Sequence, residues 1–407
     1  MKSSNFLQAS QFSKRLAIVY DGIEYGGVEN NTLMLMRNLD RSRYQPAVVI
    51  SGYNYQFAPK LFLQKVEAEG IPILVPEVRS KSRYISVLDD ILGLRRVFKE
   101  AGIDIIHIRT SNLDGGRRAT LAARLAGVPA VMRSEHLPPS VNATSSSRYW
   151  IKPFDMMTDC IVTGSQFSLN EQLRILGRPR SKLYSSYNGI DLDRFKPGND
   201  TVAAKSALGL DPNIPVIGSV GRFVPQKGFI YLVEASAQII QEYGPVNFVL
   251  VGSGPLEKEL KEKAEALGVT KYFHFVGFQS KPQAFIEAMD IVTLPSLYEE
   301  ISITLLECMA MGKPAVVSSD TALVEAVVDG KTGYVTTQRD SKALAEGLLK
   351  LLQDPISTAV MGQAALDRVR THFSITRLAN DMMNLYDRLL GYDQTGKILE
   401  LEKRVAS

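Results

Sequence analysis

Short apolar runs alternate with amphipathic stretches along almost all of this 407-residue chain, and few folds accommodate that rhythm. Strands are expected at residues 15–20, 46–51, 71–75, 104–108, 129–133 and 160–163. Helical patterns lie between them, over 28–39, 86–101, 119–126 and 167–176. A strand followed by a helix and then another strand returns the chain in the same direction. The pattern therefore calls for parallel sheets covered by helices on both faces.

The rhythm restarts after Asn188, with strands expected at 215–220, 247–251, 273–275, 290–294 and 314–318. Residues 182–200 contain Asn188-Gly189 and Pro197-Gly198 with little apolar periodicity, and read as a linker. The fold class expected is α/β, with two doubly wound Rossmann-like domains over 1–187 and 188–374. A last helical pattern at 375–390 opens the remaining segment, 375–407, and the tail beyond Gly391 is polar. Residues 137–151 break the rhythm with Pro138-Pro139, a Ser/Thr run and Arg148-Tyr149-Trp150. They read as a long irregular insertion, either a substrate loop or a surface excursion, with Trp150 as a packing anchor.

Composition excludes several classes. No apolar run approaches the roughly 20 residues of a membrane helix, and residues 1–15 lack the apolar core of a signal peptide. Two cysteines, Cys160 and Cys308, read as buried thiols of a reducing compartment, so a cytoplasmic protein is expected. No Cys/His spacing suggests a metal site. A net charge of +4 is too mild to indicate nucleic acid. It suits an anionic substrate, or peripheral contact with an acidic membrane face.

Chemistry concentrates where strands hand over to helices, because open α/β sheets bind ligands at the carboxyl ends of their strands. Glu299 follows an apolar strand, and Glu307 stands eight positions later in a helix-like run ending at Gly312. Eight residues is a little over two helical turns, so both acids can face one cleft and accept hydrogen bonds from a hydroxyl-rich ligand. Arg222 and Lys227 flank a turn ending at Gly228, where two cations can neutralise a diphosphate. Gly26-Gly27 and Gly252-Ser-Gly254 form further turns before helices, whose free N–H groups suit phosphate. Asp191 and Asp193 have the Asp-x-Asp spacing of a metal site but read as a turn. Among the histidines, His136 closes a strand at its carboxyl end. His107 and His274 sit within apolar strands and read as packed.

In order along the chain, Val220-Gly221-Arg222, Lys227-Gly228, Val251-Gly252-Ser-Gly254-Pro255, Pro295-Ser296, Glu299, Glu307 and Gly312-Lys313-Pro314 resemble the family-4 glycosyltransferases. Gly26-Gly27-Val-Glu29 and Asn188-Gly189-Ile-Asp191 extend the resemblance over about 16–390. It implies a GT-B fold, with an acceptor-binding first domain, a nucleotide-sugar-binding second domain and the helix at 375–390 returning to the first, and a retaining transfer from a nucleotide-diphospho-sugar. Glu299 would bind the donor sugar and Glu307 the ribose. Arg222 and Lys227 would hold the diphosphate, the Gly26 and Gly27 amides would approach the donor phosphates and the acceptor, and His136 would contact the sugar.

The chain departs from the family in two places. Glu300-Ile301-Ser302 replaces a segment that usually begins with glycine, and the spacing before His136 is shifted by about one residue. The expected activity is a metal-independent transfer to a glycan or lipid-linked acceptor, with no cofactor beyond the sugar-nucleotide co-substrate. A nucleotide-sugar epimerase and a binding protein without transferase activity are the alternatives.

Overall fold

The computed structural model describes residues 13–20, 27–51, 55, 58–77, 83–110, 113, 115–198 and 200–391. The chain forms two compact units, one of Met1–Gly189 with Ile375–Ser407, the other of Ile190–Ser374.

The first unit is built on a seven-stranded sheet. Its strands are β1 (Lys14–Tyr20), β2 (Tyr44–Ile50), β3 (Ile73–Leu74), β4 (Ile105–Thr110), β5 (Ala130–Glu135), β6 (Cys160–Thr163) and β7 (Leu183–Ser185). They lie in the order β3-β2-β1-β4-β5-β6-β7, all parallel. Side chains alternate between the two faces. Ile18 and Tyr20 pack on one face with the helix Gly27–Arg37, while Ala17 and Val19 pack on the other with Leu94 and Phe98. The helix Ile375–Leu389 belongs to this unit and contributes Leu378, Ala379, Met382 and Tyr386 to the first of those cores.

The second unit carries six parallel strands. They are β8 (Val216–Val220), β9 (Asn247–Val251), β10 (Phe273–Gly277), β11 (Ile291–Leu294), β12 (Ala315–Ser318) and β13 (Gly333–Thr336), in the order β10-β9-β8-β11-β12-β13. Strand order reverses between β1 and β4 in one sheet and between β8 and β11 in the other. In open α/β sheets ligands bind at such reversals, outside the carboxyl ends of the strands.

Three expectations need correction. Residues 182–200 are not linker throughout, because Leu183–Ser185 pairs with β6 as the outermost strand. Residues 137–151 are not irregular but hold the short helices Pro139–Asn142 and Ser147–Trp150, followed by Lys152–Met156. Single turns of helix are too short to show a helical period. The edge strand β13 was not anticipated, since four residues beside Asp329-Gly330 look like a turn. Asp191 accepts from the backbone N–H groups of Asp193 (3.0 Å) and Arg194 (3.1 Å), so its carboxylate is spent on a local turn.

Candidate functional site

The loops after β8, β9 and β11 interlock at the carboxyl edge of the second sheet. Gly221 N–H donates to Val251 O (2.9 Å), Phe223 N–H to Ser253 O (3.0 Å) and Leu297 N–H to Gln226 O (2.7 Å). Two glycines make this meshing possible. A Cβ on Gly252 (φ +145°) would lie 1.9 Å from Gly221 O, and one on Gly228 (φ +62°) would lie 2.0 Å from Pro295 O. Gly254 similarly backs onto Phe223. The glycines of the expected phosphate turns therefore hold neighbouring loops against each other, and they set Arg222 and Lys227 at the β8/β11 reversal.

Lys227 ends the 3-10 turn Pro225–Lys227, and Gly228 caps the following helix, Phe229–Tyr243. Its ammonium pairs with the Glu299 carboxylate, which also accepts from Ser296 Oγ at 3.4 Å. Glu299 is only 8% exposed. The loop is fixed from several sides, with Gln226 donating to Tyr298 O (3.1 Å), Gln338 to Leu297 O (2.7 Å) and Ala322 N–H to Glu299 O (3.1 Å). Arg222 stands exposed at the start of the same turn.

Glu300, Ile301 and Ser302 are buried between Glu299 and the helix Ile303–Ala310, and Ser302 occupies its N-cap position. Glu307 projects from that helix and is 9% exposed. Burial pushes its carboxyl up to about 7, and the Arg194 charge pulls the other way. Glu307 thus sits at the balance point between acid and carboxylate near neutral pH. Arg194 went unnoticed in the sequence. Its only trace was its place just before Phe195 in the stretch that begins at Asn188.

The first unit supplies a separate set. Gly26 lies outside the described residues, and Gly27 opens the helix Gly27–Arg37. His136 directly follows β5, its N–H donating to Thr110 O at 2.9 Å. Burial, reinforced by the Arg109 charge, lowers the imidazole well below its ordinary value and keeps it neutral. The residue before it anchors a buried network. Glu135 accepts from Arg178 (2.7 Å), Arg133 (3.2 Å) and Gln172 (2.9 Å), and Arg178 grips Asp155 with two bonds of 2.7 and 2.8 Å. Burial alone would raise Glu135; the Arg178 and Arg133 charges overcome it and hold the carboxyl at about 2. His107, read as packed, bonds Tyr386 Oη and Ser134 Oγ at 2.7 Å each. His274 likewise bonds Asn247, at 2.9 Å.

Two family models match the sequence of this chain. "Glycosyltransferase Family 4" covers residues 25–194, and "Glycosyl transferases group 1" covers residues 201–368. The chain belongs to the group 1, family-4 glycosyltransferases. Among its relatives is the UDP-Gal:alpha-D-GlcNAc-diphosphoundecaprenol alpha-1,3-galactosyltransferase of Escherichia coli, 27% identical over 75% of this chain and 81% of the relative. The putative glycosyltransferase EpsF of Bacillus subtilis (strain 168) is also 27% identical, over 79% of this chain and 83% of that protein. Anabaena Alr3699/HepE, solved in complex with UDP, superposes with a TM-score of 0.80 over 92% of this chain and all of that one. At 21% identity that likeness speaks to the GT-B fold alone. This glycosyltransferase has two parallel-sheet Rossmann-like units, as the fold requires.

Proposed function

We propose that this glycosyltransferase moves a sugar from a nucleotide-diphospho-sugar to a hydroxyl of a glycan or lipid-linked acceptor, with retention at the anomeric carbon and without a metal. The observation that carries the reading is the Lys227–Glu299 pair at the β8/β11 reversal of the second sheet. A cation and an acid locked together there suit the two neighbouring parts of such a donor, phosphate and sugar hydroxyls.

Arg222 and Lys227 would neutralise the diphosphate as it leaves, the role a divalent cation plays in other transferases. Glu299 and the buried Glu300-Ile301-Ser302 segment would bind the sugar, and Glu307 the ribose. The Gly252 and Gly254 turn would lie beside the nucleotide, with Gly26 and Gly27 near its phosphates and the acceptor. His136 would bond a sugar hydroxyl. The departing phosphate would then take the proton of the acceptor hydroxyl, which attacks from the same face of the sugar.

The acceptor class is supported by the relative whose name specifies a diphosphoundecaprenol-linked sugar. A cytoplasmic setting in polysaccharide assembly, with peripheral membrane contact, accords with two buried free thiols, a net charge of +4 and no described helix long and apolar enough to cross a bilayer.

The reading is tested with a panel of UDP-, GDP- and ADP-sugars and sugar-terminated prenyl diphosphate acceptors. NMR of the product should show the anomeric configuration of the donor, and EDTA should leave the rate unchanged. An inverted product, or activity abolished by EDTA and restored by Mg²⁺, would refute it.

A further inference from the structure

We propose that Arg109 and His136 form an oxyanion-binding pair at the carboxyl ends of β4 and β5, shaped to receive a phosphoryl or carboxylate oxygen of a substrate. The inference rests on the transferase reading and revises one detail of it, giving His136 an oxyanion rather than a sugar hydroxyl as its partner.

Three observations converge on it. The first is position. Arg109 pairs in register with Tyr20 of β1 and Ser134 of β5, so it stands at the β1/β4 reversal of the first sheet. Two-residue alternation places Arg109 on the same face as His107, whose ring meets Tyr386, and places His136 on that face with Ser134.

The second is an incomplete set of partners. Among the described residues, Arg109, 3% exposed, makes one hydrogen bond, from an Nη to Asn31 Oδ1 at 2.7 Å, and its buried Nε has no partner. His136 Nε2 is likewise buried and without a partner. Asn31 cannot turn to offer more, because its own amide donates to Gly189 O at 3.1 Å.

The third is charge. Burial lowers Arg109 only to about 10, so it remains a cation at neutral pH. Among the described residues no carboxylate oxygen reaches it at ion-pair distance; Glu29 acts on it only from farther away. The contrast with its neighbours is internal to the fold. Arg133 and Arg178 are buried to a similar depth, and each meets a carboxylate. A buried cation held by a neutral amide is costly to the empty protein, whereas an incoming oxyanion would complete it. The neutral imidazole beside it supplies an N–H once an oxyanion selects that tautomer. His107 and Tyr386, two of the titratable groups on this face, already bond each other.

The oxyanion has two sources, the diphosphate of the donor or an anionic acceptor. Calorimetry on the full-length protein separates them with three probes: inorganic pyrophosphate, UDP and a short-chain prenyl phosphate. Arg109→Gln should weaken at least one probe by ~10- to 100-fold, the range of a lost charged hydrogen bond, and Arg109→Lys should fall between Gln and wild type. The unliganded Tm of Arg109→Gln should equal or exceed that of wild type. A loss confined to UDP and pyrophosphate assigns the donor; one confined to the prenyl phosphate assigns the acceptor.

Unchanged affinity for all three probes in Arg109→Gln overturns the proposal, as does a lowered Tm with affinities intact. If Arg109→Gln does not fold, His136→Asn carries the comparison. It must weaken one of the probes severalfold, and unchanged binding rejects the pair. Failure of the transferase reading would look different, as absence of sugar transfer from every donor while anion binding persists.

Discussion

Glu307 changes charge according to what lies beside it. In the unliganded protein its folded value near 7 lies above the ordinary 4.5. The native state therefore holds its proton more tightly than the unfolded chain. Stability from this group is complete below about 4.5 and is lost as pH rises through about 7, by roughly 3 kcal/mol at most. Glu307→Gln is accordingly expected to raise Tm at pH 8 and to change it little at pH 5, as read by thermal unfolding. Ribose hydroxyls favour the ionised form, so nucleotide binding near pH 7 should release a proton, seen as a dependence of calorimetric heat on buffer ionisation enthalpy. No proton release would separate Glu307 from the nucleotide. Lys227 and Glu299 offer a second contrast. The two neutralise each other until a donor divides them. Lys227→Ala should lower turnover by ~10²-fold or more. Glu299→Gln should also slow transfer, yet bind UDP as tightly as wild type or tighter, since it frees the ammonium. Weakened UDP binding in Glu299→Gln would contradict that division of labour.

The turns at the strand ends are set by packing as much as by ligand chemistry. Gly252 combines a left-handed backbone with a Cβ position inside the neighbouring loop. Gly252→Ala should destabilise the second unit by about 3 kcal/mol, combining overpacking with backbone strain, measured by urea unfolding. A cost below 1 kcal/mol would mean the loops separate easily. These turns were legible in the sequence, as were most strands, because buried parallel strands read as short apolar runs between glycines and prolines. The edge strands β7 and β13 escaped for the opposite reason; three or four residues in a polar stretch carry no period. The acids Glu299 and Glu307 stood out through their spacing. Arg109 and Arg194 did not, since each acquires its meaning from residues distant in sequence, Asn31 and His136 for one and Glu307 for the other.

On the scale of the whole molecule, the first unit is discontinuous. Its core includes Tyr386, whose hydroxyl bonds His107, and the half-buried Asp387 next to it pairs with Arg43 and Tyr44. Tyr386→Phe should cost ~1–3 kcal/mol by leaving the imidazole nitrogen unmet, detectable as a lowered Tm. Truncation after Ser374 should yield protein that binds a hydrophobic dye and aggregates, because Leu378, Met382 and their neighbours no longer cover the sheet. A soluble, cooperatively unfolding truncate would show that the helix is dispensable. The same arrangement bears on synthesis. A ribosome releases residues up to Gly189 first, then must translate all of Ile190–Ser374 before the covering helix exists. At ~5–20 residues per second, the nascent amino-terminal half waits on the order of ten seconds or more with an open apolar surface. During that interval chaperones, or neighbouring nascent chains, compete for it.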